Sequence, residues 1–184
     1  VSLGSAVLES KKSVTYSAQR KSEAGTRLPR LLAYVVSLRV RVTVDTNVLY
    51  QAVRSSRGAS HEVLRMVRRG EIALALSVPV YEEYRDVLYR DETRQETGLS
   101  RQDMDRVLRF VALVGIATPI DFLWRPNLRD ESDNLFVELA VASGSEYLLT
   151  RNKRDYTVGR QLVFDSFKIV NPSEFLAEWR SRNE

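Results

Sequence analysis

The chain has 184 residues, enough for one α/β domain with a full core and too few for two of ordinary size. It contains no cysteine, which excludes disulfides and thiolate metal sites. The metal ligands that remain are carboxylates, the single His61, amides and backbone oxygens, a set that suits Mg²⁺ or Mn²⁺ better than structural zinc. The formal charge of +4 is a poor guide to nucleic-acid binding, because residues 1–37 hold six Lys/Arg against two Asp/Glu and the remainder is neutral overall.

Residues 1–27 are rich in Ser, Lys and Glu and lack any period, so residues 1–37 are expected to form an irregular or non-native extension. The first residue is Val1 rather than Met, which fits either a start upstream of the native one or a remnant of expression. The apolar run Leu31 to Leu38 is too short to cross a bilayer and has no small-residue cleavage site after it, so a cytoplasmic protein with no membrane partner is expected.

From residue 38 to 184, strand and helix signals alternate, which predicts an α/β domain with a mostly parallel sheet covered by helices. Leu38, Val40, Val42 and Val44 alternate through a strand over about 38–45, and helices follow over about 47–55 and 59–69. Glu71 to Ser77 reads as the second strand. Pro79 fits the first turn of a helix that runs to about Tyr89 and carries Val80, Tyr84, Val87 and Leu88 on its apolar face. Ser100 and Asp103 form a capping pair for a helix bearing Met104, Val107, Leu108 and Val111, and Ile116 to Ile120 is the third strand. A helix with Leu135, Phe136 and Leu139 stops at Gly144, Tyr147 to Thr150 is a short buried strand, and a polar loop Arg151 to Tyr156 follows. Leu162–Phe164 and Phe167–Val170 are further strand candidates, and Asn171 to Glu174 opens the last helix.

Asp45 stands at the end of the first strand, the place where open α/β sheets bind ligands. Glu83, Asp133 and Asp155 each stand at a comparable strand or helix boundary. Crowded carboxylates repel one another unless a cation joins them, and cations so held can activate water and stabilise the leaving oxygen of a phosphodiester. Each acid also has a plain structural explanation. Asp45, Thr46 or Asn47 could cap the first helix, Glu83 could complement a helix dipole, Asp130 or Asp133 could be an N-cap, and Asp155 could be a turn residue. It is the ordered set that points to a metal-dependent nuclease. Trp124 and Trp179 read as packing residues, His61 as a surface or capping residue, and the clusters Arg65/Arg68/Arg69 and Arg151/Lys153/Arg154 as candidate phosphate-facing or merely solvated faces.

Over residues 40 to 176 the chain resembles the PIN domain family, especially the toxin branch related to VapC-type ribonucleases. The segments that carry the resemblance are Val44-Asp45-Thr46-Asn47-Val48-Leu49, Ser77 through Glu83 to Leu88, Arg129-Asp130-Glu131-Ser132-Asp133-Asn134, Tyr147 through Asn152 to Tyr156, and Asn171 to Leu176. The resemblance implies a three-layer α/β/α fold, cleavage of RNA with Mg²⁺ or Mn²⁺, a homodimer and a cognate antitoxin. It puts the metal at Asp45, Glu83 and Asp133, with Thr46 and Asn47 supporting the first acid. Asn152 stands where the family often has Asp, so Asp155 becomes the candidate for the remaining carboxylate. Glu82 competes with Glu83, although Tyr84, Val87 and Leu88 align in favour of Glu83. Thr150 or Arg151 would orient a phosphate. Two other functions compete: a non-catalytic PIN-like module that binds RNA or protein, and a phosphatase of the haloacid dehalogenase type with Asp45 as nucleophile, which is disfavoured by Asn47 where a second acid is needed.

Overall fold

In a computed structural model, the structure describes residues 39–121, 128, 131–156 and 165–183. The expected extension over 1–37, the strand at Leu162–Phe164, Asp130 and Trp124 lie outside the described residues. By contacts the chain separates into residues 1–39 and 40–184, and the second unit is described below.

Five strands form one parallel sheet: β1 (Arg41–Val44), β2 (Ala73–Leu76), β3 (Ile116–Ala117), β4 (Tyr147–Leu149) and β5 (Lys168–Val170), in the order β3-β2-β1-β4-β5. The register pairs Val42 with Leu74 on one side of β1 and with Tyr147 on the other. Every residue of β2 and β4 is buried, the continuous apolar pattern that a parallel sheet covered on both faces requires. The helices among the described residues are α1 (Thr46–Arg54), α2 (Ala59–Arg69), α3 (Val78–Leu88), α4 (Asp91–Thr97), α5 (Arg101–Val114), α6 (Asn134–Ser143) and α7 (Pro172–Asn183). The result is the three-layer α/β/α arrangement. Its centre is β1, where the strand order reverses: the chain leaves β1 toward β2 and β3, then returns to β4 and β5. Open sheets of this kind bind ligands at the carboxyl ends of the strands beside such a reversal.

Local chemistry sets the helix starts that matter here. Ser77 Oγ accepts the Val80 N–H at 3.4 Å, and Pro79 occupies the first turn of α3, where its missing N–H costs nothing. Val80, Tyr84 and Leu88 then recur at helical spacing on the buried face. Ser100 and Asp103 form the expected reciprocal capping box on α5, and Asn171 and Glu174 exchange two bonds of 2.9 Å at the start of α7. Trp179 packs against Phe175 with ring centroids 6.1 Å apart. The third strand is shorter than expected: only Ile116 and Ala117 pair with β2, and Thr118 adds one bond to the Leu76 carbonyl. No helix among the described residues is long and apolar enough to cross a membrane.

Candidate functional site

Asp45 is the last residue before α1 and the first after β1, and its backbone N–H donates to the Leu149 carbonyl at 2.9 Å, which ties it to the end of β4. Its side chain does cap the helix, as Oδ1 accepts the Asn47 N–H at 3.0 Å. The cap uses only part of the carboxylate. Oδ2 accepts from Asn47 Nδ2 at 2.7 Å, from Thr150 Oγ1 at 2.7 Å and from the Tyr156 hydroxyl at 3.0 Å. Asp45 is 5% exposed, and burial raises its pKa above the ordinary value despite these bonds, each of which lowers it. Three donors crowd Oδ2, so the capacity for another partner lies on Oδ1.

Asn47 from α1 and Thr150 from the end of β4 lock the same corner. Asn47 Nδ2 also donates to Thr150 Oγ1 at 3.1 Å, and Asn47 Oδ1 accepts the Arg151 N–H at 2.9 Å. Tyr156, to which the sequence reading gave no role, is 3% exposed and completes the set. Burial, followed by the charges of Asp45 and Asp133, drives its pKa upward, so it remains a neutral donor. Tyr84 is likewise held neutral by burial and by Asp45, and its hydroxyl donates to the Val44 carbonyl. Two phenols thus pin the end of β1 from below. A buried tyrosine can fill the core with its ring while its hydroxyl donates at the edge, as both do here.

Asp133 closes the 3₁₀ turn Glu131–Asp133 and takes the N-cap place of α6, yet makes no capping bond with its side chain. With Asp45, Thr46 and Asn47 it lines one depression of about 580 Å³. The other acids stand differently. Glu83 is half-buried on α3, one helical turn before Val87, and Val87 lines that depression while Glu83 does not. Glu82 pairs with Arg85 and faces a separate depression beside Ala117 and Thr118. Asp155 accepts a hydrogen bond from Asn152 Nδ2 in an exposed turn, and neither residue lines the depression with Asp45. Arg151 donates to Gln51 at 3.0 Å, Lys153 to Glu174 at 3.0 Å, and Arg65 and Arg69 are paired with Glu62. His61 places Nδ1 3.0 Å from the Ala52 carbonyl and lines a different groove with Arg65 and Arg68.

The donor set suits a hard cation of modest demands. Among the described residues no three His, Cys, Asp or Glu side chains gather closely enough to hold an ion by themselves. Mg²⁺ needs less: one or two carboxylates, retained waters and substrate phosphate oxygens suffice. Thr46 Oγ1 and Asn134 Oδ1 are buried without a hydrogen-bond partner among the described residues, and they adjoin Asp45 and Asp133 in sequence. Buried orphan oxygens are costly unless something binds them, and hydrated cations do.

An α/β domain with a buried acid at its topological switch point and a second acid beside it is the kind of place where open sheets bind ligands. The PIN domain family model matches residues 41–154, more than half of the chain, and the protein belongs to that family. Its members are typically nucleases that use divalent metals and commonly bind RNA. No curated protein matches the chain.

Proposed function

We propose that this protein is a Mg²⁺- or Mn²⁺-dependent endoribonuclease that hydrolyses RNA phosphodiester bonds in the cytoplasm, as the toxin of a toxin–antitoxin pair. The observation that carries this reading is the depression shared by Asp45 and Asp133 at the carboxyl end of β1, the central strand. Asp45 would hold the cation through Oδ1 while Asn47, Thr150 and Tyr156 fix Oδ2, and Asp133 would supply the second carboxylate. Thr46 Oγ1 offers a neutral oxygen at the same wall, and Glu83 and Asp155 are the remaining acids of the set. A divalent cation there lowers the pKa of water and offsets charge on a phosphodiester. The protein's own part is to orient Asp45 and shield it from bulk water, while its hydrogen bonds offset part of the cost of ionising it there. A cognate antitoxin and a homodimer belong to the same proposal.

The purified protein is expected to cleave single-stranded RNA with Mg²⁺ or Mn²⁺ and to stop on chelation. Asp45→Asn and Asp133→Asn are each expected to lose at least about a hundredfold in rate while keeping the wild-type circular dichroism spectrum. One observation favours a second reading, a PIN-like module that binds without cutting: Asn152 occupies Asp155 in the exposed turn, which leaves fewer acids for a second ion. Binding of RNA by wild type and by both variants alike, with no cleavage under either metal, would establish that module instead.

A further inference from the structure

The far wall of the Asp45 depression is built by α4 and the residue before it. Glu92, Thr93 and Glu96 line it from α4, Tyr50 lines it from α1, and Arg90 is the one cation among the described residues that does so. Four carboxylates, those of Asp45, Asp133, Glu92 and Glu96, therefore face a single guanidinium. Glu96 accepts a hydrogen bond from the Tyr50 hydroxyl, so its charge is partly satisfied. Arg90 is exposed and makes no ion pair among the described residues. The neighbouring arginines of this region are occupied: Arg85 by Glu82, Arg94 by Asp91.

Charge decides what this arrangement can admit. A divalent cation at Asp45 and Asp133 would neutralise two carboxylates and leave the opposite wall negative, which opposes a phosphodiester. A fixed positive group on that wall halves the opposition and gives a phosphate one place to bind, and a guanidinium does so with a planar fork that matches two phosphate oxygens. Resting on the ribonuclease reading, we infer that Arg90 is the substrate-binding residue that anchors an RNA backbone phosphate across the depression from Asp45. It takes the role that Arg151 and Thr150 offered from sequence. Neither of those two lines the depression: Arg151 bonds Gln51, and Thr150 is spent on holding Asp45.

Arg94 provides the control. It sits on the same helix and carries the same charge, but it lines a separate depression with Asp91, Gln95 and Ser100. Binding of a fluorescent single-stranded RNA oligonucleotide is measured in Ca²⁺ for wild type, Arg90→Ala, Arg90→Lys and Arg94→Ala over a range of salt. Arg90→Ala is expected to weaken binding about tenfold and to reduce the slope of log K against log salt by about 0.7, the share of one phosphate contact on a single strand. Arg94→Ala is expected to stay within about twofold of wild type, and Arg90→Lys to recover part of the loss by restoring charge without the fork. In cleavage assays the Arg90→Ala loss should fall on KM with kcat nearly kept, and its unfolding temperature should match wild type. Equal weakening by Arg90→Ala and Arg94→Ala would reduce the effect to bulk charge and overturn the inference, as would no RNA binding by wild type. Wild-type cleavage with an unchanged KM in Arg90→Ala overturns the inference and leaves the ribonuclease reading standing. Weaker binding by Arg90→Ala in a protein that never cleaves supports the inference and removes the ribonuclease reading.

Discussion

At Asp45, helix capping and metal binding are compatible because they use different parts of one carboxylate. Oδ1 serves the Asn47 N–H, while three side-chain donors hold Oδ2 and set the plane of the group. Tyr156 is the donor that comes from farthest away in sequence, and its neutral hydroxyl helps to lower a pKa that burial raises. Tyr156→Phe removes that help and leaves the ring in place. The Asp45 carboxyl should then hold its proton to a higher pH, so the midpoint of Mn²⁺ binding against pH should move upward, with a stability loss of about 1 kcal/mol for the missing bond. Mn²⁺ titrations at several pH values, with thermal unfolding alongside, measure both, and an unmoved midpoint would mean that Tyr156 only packs. Asp45 could be singled out from the sequence because it follows an alternating strand and heads an ordered set of acids at such boundaries. Tyr156 could not, since an aromatic residue next to Asp155 in a polar loop gives no sign that its hydroxyl returns to a strand end more than a hundred residues earlier.

Most elements could be read where a hydrophobic period and a cap agreed. That holds for α3, whose Ser77 cap and Pro79 lead into Val80, Tyr84 and Leu88, and for α5 with its capping box. It fails for α4, Asp-Glu-Thr-Arg-Gln-Glu-Thr, which has no apolar residue and had no counterpart among the expected elements. Its stability comes from tertiary contacts and ends that a period cannot reveal. Thr93 is 4% exposed and its hydroxyl donates to the Val87 carbonyl at 2.8 Å, Thr97 donates back to the Thr93 carbonyl, and Gly98 ends the helix at φ 67°. Such a left-handed residue is inexpensive only as glycine. Since α4 forms the wall that faces Asp45, its order matters to substrate entry. Thr93→Val keeps the shape and deletes the bond to Val87, at a cost of about 1 kcal/mol confined to this segment. Amide exchange across 91–98 should speed up by about fivefold, the rate equivalent of that loss, while amides of β1 and β4 keep their protection. Uniform acceleration through the sheet would show that α4 unfolds only with the whole domain.

Across the whole molecule, the order β3-β2-β1-β4-β5 turns separate sequence signals into one site. Which strand lies at the centre depends on pairings such as Val42 with both Leu74 and Tyr147, and residues so far apart leave no local trace of them. Once β1 is central, Asp45 and Thr150 must end side by side, and the acid is buried at a place where its charge is unwelcome. Its raised pKa fixes the sign of the consequence. An acid held above its ordinary value subtracts stability when ionised, so without a cation this loss is present above the folded pKa and is relieved as pH falls through it. A cation that binds the ionised form offsets the loss where it is largest. Saturating Mg²⁺ or Mn²⁺, at about a hundred times its dissociation constant, adds about 2.7 kcal/mol, which is on the order of 5 °C or more in unfolding temperature for a domain of this size. That increment should be full well above the raised pKa of Asp45 and should shrink as pH falls toward it, where protons compete for the carboxylate. Asp45→Asn should show none of it at any pH. Differential scanning calorimetry of both proteins, with and without metal, tests the point: an increment that ignores pH, or persists in Asp45→Asn, would place the cation away from the end of β1.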